Sequence, residues 1–481
     1  MGLAKNSFLY LVSNVLIKAA SFFLLPLYSY LVPPEVYGHI YVVSALSNFV
    51  SILLPLSMVI CISRFYFDCK TVFEVKKLYS TIVLFSSISS AILITPMFLC
   101  SDWLADFINI PSNYFIAGLL ISYFSCYYQI IMALLYVCQK AKVVSITSAL
   151  VGVGHVILQL ALVLSLDDKG LALLSTMLIQ SISTFILFLV FSKPYLTLHF
   201  DFKSTGKFLK YSFSQFPSDV SGWLVNFTDR VFINKYINSN SAGVYGIGAN
   251  IGQIPMMVFS SVNSAFTPYV NSQYKAMETV NDYNLQIIKK NLSYVFMVVS
   301  SIMLMLMSIM IVLSNNIISI LSPAYMDAFL IVIVMLMASL MNNYRCMFMA
   351  PLAYNIKYTK IKSLIWVVAG IINVVLNFYL IPLYGIYAAC ANSLITYTIT
   401  FLLMLYYGRK AIYVKYEWTL LIKVFIVSML YCSLLVLGNG IEWFFLKLFL
   451  MIPYIHVCIF CILKINIYKK IKTYVKIFCN K

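Results

Sequence analysis

The sequence predicts an all-α membrane protein of about fourteen transmembrane helices, built from two parallel six-helix repeats and two further C-terminal helices. Three observations predict this fold: the composition, the recurrence of apolar runs, and a pair of repeated motifs. Of the 481 residues, 62% are hydrophobic and only 10% are charged, whereas an average soluble domain has roughly 25% charged residues. The composition therefore excludes a water-soluble fold.

Apolar runs long enough to span a membrane recur from one end of the chain to the other. A helix needs about 20 apolar residues to cross a hydrocarbon core about 30 Å thick. The first run follows only Lys5 and lacks a convincing small-x-small cleavage site, so we interpret it as an uncleaved span. The predicted spans are 7–31, 36–61, 79–99, 114–137, 143–165, 170–192, 209–236, 242–270, 292–314, 325–350, 361–383, 385–407, 417–437 and 443–464.

The distribution of Lys and Arg predicts the orientation, because cytoplasmic loops carry an excess of both residues. Of the 33 Lys and Arg residues, 26 are assigned to one side, four lie within spans, and only Lys169, Lys235 and Lys447 are assigned to the other side. We therefore predict that both termini are cytoplasmic. The net charge of +18 arises from the same loops. We infer that this charge sets the orientation of the chain in the membrane and contacts anionic lipid headgroups. We expect no nucleic-acid partner.

Two pairs of motifs indicate an internal repeat. Residues 34–38 (PEVYG) open span 2 and residues 242–246 (AGVYG) open span 8, while residues 170–174 (GLALL) open span 6 and residues 385–389 (GIYAA) open span 12. The near-equal offsets predict that spans 1–6 and 7–12 are copies of one unit. Because six is even, both copies enter the membrane in the same direction, and such transporters place the substrate between their halves.

The repeat predicts five regions. They are an N-terminal six-helix lobe (1–192), a cytoplasmic linker (193–208), a C-terminal six-helix lobe (209–407), two additional helices (408–464) and a basic cytoplasmic tail (465–481).

Ionisable side chains at membrane depth face a cavity, a partner or a pathway, because burying them in lipid is costly. Lys18 lies about 18 Å along span 1, at 1.5 Å per residue, and Asn14 precedes it by one turn. A lysine at that depth does not easily reach the interface, so we predict that Lys18 and Asn14 face a cavity.

Span 7 carries the most polar stripe of the chain. Asp219, Gly222, Asn226, Asp229 and Arg230 follow helical spacing and share one face. We predict that this face lines the cleft between the repeats with Asn14 and Lys18. The alternative for Asp229 and Arg230 is an interfacial pair near the outer helix end.

Arg345, in span 10 beside two asparagines, either lines an inward vestibule or contacts cytoplasmic headgroups. Other polar groups within the spans, Asn373 with Asn377 and His155 with Gln159, are predicted to form interhelical hydrogen bonds. Five prolines are predicted to interrupt spans 1, 2, 7 and 8, where broken backbone is tolerated beside protein or a cavity. They are Pro26, Pro55, Pro217, Pro255 and Pro268.

A cationic cavity predicts an anionic substrate, since Arg and Lys bind phosphate by charge-assisted hydrogen bonds. The chain has no Walker, H-E-x-x-H or G-x-S-x-G motif, so we expect a transporter without a cofactor and not an enzyme. Cys458 and Cys461 lie inside an apolar span, where zinc would need two further ligands, so we expect no metal site.

Several segments resemble the bacterial polysaccharide-biosynthesis flippases, the O-antigen translocases of the multidrug/oligosaccharidyl-lipid/polysaccharide exporter superfamily. One segment runs from Lys5 to Leu31 and continues into residues 34–38. The second runs from Asp229 through residues 243–246 to Tyr269, and the third is residues 381–389. Many members of this family have twelve spans, so the extra pair of helices here is either a departure from the family or an error in the predicted span boundaries.

The resemblance implies a V-shaped bundle around a central cationic cavity in the bacterial inner membrane. It implies that the chain moves an undecaprenyl-diphosphate-linked oligosaccharide to the periplasmic face, with Lys18 in a position where the family often has a basic residue. The expected substrate-binding residues are Asn14, Lys18, Asp219, Asn226, Asp229, Arg230 and Arg345. A polysaccharide polymerase and a chain-length regulator are candidate partners.

Two other functions are compatible with a chain of this kind. A multidrug or cation antiporter of the same superfamily would share the lobes, but its cavity would be more acidic or neutral. A membrane-embedded polysaccharide polymerase would be expected to carry a large external loop, whereas the outward loops here reach only about fourteen residues, as in 100–113.

Overall fold

The computed structural model describes residues 23–463 except 198, 279–280, 417, 437 and 439, and this part of the chain is helical without a β-strand. Helix α1 covers residues 23–31. The helices that follow are α2 (Pro34–Leu53), α3 (Val59–Phe65), α4 (Val72–Leu99), α5 (Ser101–Phe107), α6 (Ser112–Val137), α7 (Ala141–Ser165), α8 (Lys169–Ser192), α9 (Phe202–Tyr236), α10 (Ser239–Gly252), α11 (Ile254–Met277), α12 (Asp282–Ser319), α13 (Ala328–Phe348), α14 (Ala350–Tyr354), α15 (Ile356–Tyr384), α16 (Ile386–Ala411), α17 (Trp418–Leu435) and α18 (Ile441–Leu463).

Eleven stretches of helix in the described residues are long and apolar enough to cross a membrane, by length and composition. They coincide with predicted spans 2–6 and 9–14. Predicted span 7 corresponds to α9 and predicted span 8 to α10 with α11, while most of span 1 lies outside the described residues. The predicted class, an all-helical polytopic membrane protein, is confirmed, with eleven candidate spans among the described residues.

The described helices form two compact units. The first runs up to Ile247 and includes Leu321–Tyr325 and Ser363–Thr396. Within it α6 packs against both α2 and α8, and α2 also packs against α9. Helix α9, which carries the predicted polar stripe, is therefore held against the helix that opens with residues 34–38.

The second unit comprises Gly248–Ile320, Met326–Lys362 and the chain from Tyr397 onward. Its central element is α12, which packs against α13, α17 and α18. The last two spans therefore pack on α12.

Two predicted spans are broken at a proline, as expected. Helix α2 ends at Leu53 and α3 begins at Val59. Between them Leu56 and Ser57 adopt left-handed φ values of 47° and 56° beside Pro55. The second break separates α10 from α11 immediately before Pro255.

The other three prolines do not interrupt their helices, which corrects the prediction for Pro26, Pro217 and Pro268. Residues 23–31, α9 and α11 are continuous through these positions. Membrane helices tolerate an internal proline because nearby side chains and neighbouring helices compensate for the lost backbone hydrogen bond. Beside Pro217, the Ser221 hydroxyl donates to the Pro217 carbonyl oxygen at 2.6 Å.

The two motifs that end in Val-Tyr-Gly lie against each other in the first unit. A Cβ atom on Gly38 would lie 1.8 Å from the Ser239 carbonyl oxygen, and one on Gly243 would lie 1.9 Å from the Pro34 carbonyl oxygen. Only glycine allows two helix backbones to approach this closely. The residues that predicted the repeat thus form a direct contact between α2 and α10.

Candidate functional site

The predicted stripe on α9 divides into an accessible part and a buried part. Asp219 is exposed, and its carboxylate accepts a hydrogen bond from the Ser57 hydroxyl at 2.7 Å. Among the described residues, no heavy atom lies within 4 Å of the position that a Cβ atom on Gly222 would occupy. Asn226 is partly buried and donates to the Gly222 carbonyl oxygen within the helix. The middle of α9 therefore carries a carboxylate and an amide on a face that the described residues do not fully cover.

Asp229 and Arg230, two turns before the end of α9, are buried with exposed fractions of 4% and 6%. The Asp229 carboxylate accepts hydrogen bonds from the Tyr245 hydroxyl and from the Arg230 backbone N–H. The Arg230 guanidinium carbon lies 5.5 Å from the ring centroid of Tyr41 and 5.4 Å from that of Phe227. The pair lies near the end of α9, as the alternative interpretation of an interfacial pair also expects, so both interpretations stay predictions.

Aromatic rings and an adjacent carboxylate are a favourable setting for a buried guanidinium. A cation within about 6 Å of a ring centroid is attracted by the ring quadrupole. Tyr37 stacks on Tyr41 at a centroid distance of 5.8 Å and fixes the position of that ring. The Asp229–Arg230 pair is thus placed by the contact between α2, α9 and α10.

The end of α9 contacts the turn after α5, a contact that was not predicted from the sequence. The Asn234 side-chain amide donates to the carbonyl oxygens of Ile108 and Asn109, both at 2.8 Å. The Lys235 ammonium lies 3.3 Å from the Phe107 ring centroid. Asn109 has a left-handed φ of 53°. Asparagine tolerates this conformation better than most residues, so the asparagine at this position is the sequence feature that indicates a turn here.

A buried amide network joins α9, α15 and α16 within the first unit. The Asn392 amide donates to the Asn377 side-chain oxygen, and the Asn377 amide donates to that of Asn373, both at 3.0 Å. Asn373 in turn accepts from the Thr228 hydroxyl at 3.1 Å. The predicted interhelical role of Asn373 and Asn377 is confirmed. The role predicted for His155 is not, since its Nδ1 atom is buried without a hydrogen-bond partner in the described chain.

Arg345 is buried in the second unit, with an exposed fraction of 4%. Its Nε and Nη2 atoms donate to the Asn342 side-chain oxygen at 2.9 and 2.5 Å. This burial does not fit the interpretation in which Arg345 contacts headgroups. The neighbouring Asn343 is fully buried, and its amide has no hydrogen-bond partner among the residues that the structure describes.

Lys18 and Asn14 lie outside the described residues, so their predicted position in a cavity stays a prediction. In the part of the chain that is described, no group of three or more His, Cys, Asp or Glu side chains could hold a metal ion.

Lys447, predicted to lie on the outer side, is a buried cation. It lies within α18 and is fully buried in the second unit. Its ammonium donates to the Asn316 side-chain oxygen at 2.7 Å and to the Gly438 carbonyl oxygen at 2.6 Å. The available signal was a charged residue inside an otherwise apolar span, the same signal that singled out Lys18.

Comparison with known proteins relates the chain to others by sequence and by fold. The model of a family described as polysaccharide biosynthesis protein matches residues 3–275. No curated protein sequence matches the chain.

Among solved structures, the lipid II flippase MurJ in an inward closed conformation is similar, with a TM-score of 0.72 and 16% identity over 95% of this chain and 99% of that chain. A multidrug resistance MATE family transporter of the MOP superfamily, in an inward-facing conformation, has a TM-score of 0.58 and 11% identity over 82% of this chain and 94% of that chain. A variant of the Vibrio cholerae MATE transporter VcmN has a TM-score of 0.59 and 11% identity over 85% of this chain and 96% of that chain. These similarities show a shared fold.

Proposed function

The chain belongs to the family of polysaccharide biosynthesis proteins, and we propose that it is a flippase for a lipid-linked oligosaccharide. The proposed substrate is an undecaprenyl-diphosphate-linked O-antigen or related repeat unit, moved from the cytoplasmic to the periplasmic leaflet of the bacterial inner membrane. The fold shared with a lipid II flippase supports transport of a lipid-linked substrate.

The observation that carries the proposal is the pair of buried guanidinium groups within the membrane fold, Arg230 and Arg345. Buried arginines are costly in a membrane and are retained at substrate and ion pathways. A guanidinium recognises phosphate oxygens through two parallel hydrogen bonds. In the proposal, Lys18 and Asn14 hold the diphosphate, and Arg230 and Arg345, which are buried in this conformation, become accessible to it in another conformation of the transport cycle.

The accessible part of the α9 stripe suits the sugar end of the substrate. A carboxylate and an amide, as on Asp219 and Asn226, bind sugar hydroxyls by accepting and donating hydrogen bonds. In this proposal Asp229 does not contact the substrate. Its carboxylate balances the charge of the Arg230 guanidinium, which binds the diphosphate. Such groups replace the water that an oligosaccharide loses when it leaves the aqueous phase, a loss that costs several kcal/mol for each unpaired polar group, on the order of 2–7.

Translocation by alternating access needs two conformations with different affinities for the substrate at each membrane face. A substrate cavity that opens to one side at a time lets the sugar cross while the undecaprenyl chain stays in lipid. Anionic lipid, a polysaccharide polymerase and a chain-length regulator are the proposed partners.

The test is transport of a fluorescent undecaprenyl-diphosphate oligosaccharide in proteoliposomes, together with surface polysaccharide display in cells that lack the chain. We expect Lys18→Ala to abolish both while its membrane level stays normal, and Lys18→Arg to retain part of the activity. Arg230→Lys and Arg345→Lys should reduce transport at least tenfold. Arg409→Ala, at an exposed position of the last α16 turn, is the matched control and should keep activity.

Full polysaccharide display by Lys18→Ala would show that the diphosphate is held elsewhere. Loss of the protein together with the polysaccharide would indicate a structural ion pair with Asp219 or Asp229. A charge reversal at Lys18 that is rescued by reversal at one of these acids would establish that pair.

A multidrug or cation antiporter is the second candidate, because the fold is also similar to MATE transporters. This function requires export of organic cations against a gradient. It would be supported if deletion of the chain increased drug susceptibility and left polysaccharide display unchanged. The third candidate, a polymerase, would require glycosidic bond formation by the purified chain.

A further inference from the structure

A cavity of about 630 Å³ lies in the second unit, and its lining contains none of the residues assigned to the substrate. This volume falls in the range of small-molecule sites, roughly 300–1,000 Å³. The cavity is lined by Tyr274, Met277, Glu278, Tyr354, Asn355 and Ile412.

The cavity lies where three helical segments end. Helix α11 ends at Met277, α14 ends at Tyr354, and α16 ends at Ala411. Since α14 and α16 close two of the candidate membrane spans, this position corresponds to the membrane–water boundary. By the predicted orientation it is the cytoplasmic boundary, where phospholipid headgroups lie.

The hydroxyl of Tyr274 is the next feature of the cavity. Its side chain is only 1% exposed, and its oxygen has no hydrogen-bond partner among the described residues. A buried polar atom without a partner is destabilising, because it has lost its hydrogen bonds to water. A ligand in the cavity that this residue lines would supply the missing hydrogen bond.

The charged group of the cavity is Glu278. Its carboxylate accepts a hydrogen bond from the Tyr354 hydroxyl at 2.9 Å, and no Lys, Arg or His of the described chain forms an ion pair with it. The rings of Tyr274 and Tyr354 lie with centroids 5.5 Å apart at 56°. A carboxylate beside two tyrosine rings is the arrangement that binds an organic ammonium group.

We propose that this cavity binds the ammonium headgroup of a zwitterionic phospholipid, phosphatidylethanolamine. Glu278 accepts hydrogen bonds from the ammonium, the tyrosine rings contact its charge, and Tyr274 provides a hydroxyl for the phosphodiester or ester oxygen. Exposed basic residues next to the lining in sequence, Lys275 and Lys410, lie at the same helix ends and attract the phosphate. The bound lipid ties α11, α14 and α16 together at the membrane surface.

The experiment measures lipid binding to the purified full chain by native mass spectrometry. Phosphatidylethanolamine and phosphatidylglycerol with identical acyl chains are compared, with soluble phosphoethanolamine as a competitor. We expect phosphatidylethanolamine to bind at least tenfold more tightly than phosphatidylglycerol, and an equal concentration of phosphoethanolamine not to displace it. Equal binding of the two lipids would overturn the proposal. Displacement by the soluble competitor would show that the ligand is a soluble ammonium compound and not a lipid.

Two substitutions test the assigned residues. Glu278→Gln removes the charge at nearly constant shape and should weaken phosphatidylethanolamine binding about tenfold, as expected for loss of a charge-assisted hydrogen bond. Tyr274→Phe removes a single oxygen atom from the lining and should weaken binding about threefold. The matched controls are Glu442→Gln and Tyr413→Phe, both at exposed positions outside the cavity, and they should bind as wild type. The site would be refuted if Tyr274→Phe and a folded Glu278→Gln protein both bound phosphatidylethanolamine as tightly as wild type.

Discussion

The Tyr245 hydroxyl donates a hydrogen bond to the Asp229 carboxylate, and both side chains are buried in the first unit. Tyr245 belongs to the second Val-Tyr-Gly motif, so this hydrogen bond connects the repeat to the charged end of α9. A buried carboxylate requires donors because desolvation strongly disfavours its charge. The geometry of the Asp229–Arg230 pair therefore depends on where α10 is placed.

The first prediction concerns this hydrogen bond. Tyr245→Phe should lower the stability of the protein by about 1–3 kcal/mol, because a buried charged acceptor loses a donor. Asp229→Asn should have a smaller effect when combined with Tyr245→Phe than in the wild type, since the two residues form one interaction. Thermal unfolding in detergent measures both effects. Tyr413→Phe, at an exposed position, is the control, and an unfolding temperature of Tyr245→Phe equal to that of this control would contradict the prediction.

The second prediction concerns the contact between α2 and α10. Gly38→Ala and Gly243→Ala should each destabilise the protein by about 1–3 kcal/mol or more, because the new methyl group would overlap a backbone carbonyl oxygen. Gly154→Ala is the matched control. Gly154 also lies inside a helix, α7, but outside its own helix backbone a Cβ atom there would meet no atom of the described chain within 4 Å.

Alanine is favoured over glycine in a helix by about 0.5–1 kcal/mol, so Gly154→Ala should be neutral or stabilising. Expression of folded protein and thermal unfolding would be compared among the three variants. A Gly38→Ala protein as stable as the control would mean that α2 and α10 can separate without cost.

The third prediction concerns membrane orientation, which follows from the distribution of Lys and Arg. Cys69 precedes α4 and is predicted to be cytoplasmic, whereas Cys100 follows α4 and is predicted to be periplasmic. Both thiols are free, and Cys100 is exposed. In variants that keep only one of these cysteines, a membrane-impermeant maleimide should label Cys100 in intact cells and Cys69 only after permeabilisation.

Reporter fusions at residues 105 and 205 provide an independent check and should report periplasm and cytoplasm, respectively. Labelling of both cysteines from the same side would show that α4 does not cross the membrane.

Much of the fold could be predicted because apolar runs and Lys/Arg positions are local signals. Predicted spans 361–383 and 443–464 differ from α15 and α18 by only a few residues at each end. The effect of each proline was harder to predict, because a proline can either break a helix or lie within a continuous one. Pro55 follows the end of α2, while Pro217 lies within continuous α9. The sequence around each proline does not contain the tertiary contacts that decide between these outcomes.

The sequence could predict which residues belong to the candidate site, but it could not predict their burial or their contacts. Helical spacing placed Asp219, Asn226 and Asp229 on one face, but it could not tell that the structure buries Asp229 and leaves Asp219 exposed. Tyr41 of α2 and Tyr245 of α10 contact the Asp229–Arg230 end of the stripe. Lys447 was missed because a charge near a span boundary is usually interfacial, and only the position of Asn316 reveals its partner.

The fourth prediction concerns this buried lysine. Lys447 connects α18 to α12 through Asn316, and in the described chain its ammonium has no carboxylate within ion-pair distance. Lys447→Met should destabilise the protein by about 1–3 kcal/mol, because the Asn316 oxygen and the Gly438 carbonyl oxygen each lose a donor within an apolar environment.

The matched control for Lys447 is Lys423→Met, since Lys423 also lies in one of the last two spans but is exposed. The double variant Lys447→Met/Asn316→Leu should recover part of the lost stability, with a coupling of about 0.5–3 kcal/mol between the two sites. Hydrogen exchange of α18 and thermal unfolding in detergent measure the effect. If Lys447→Met and Lys423→Met behave alike, the contact with Asn316 does not hold α18 on α12, and the stacked rings of Tyr431 and Tyr454, 4.1 Å apart between α17 and α18, would be the next contact to test.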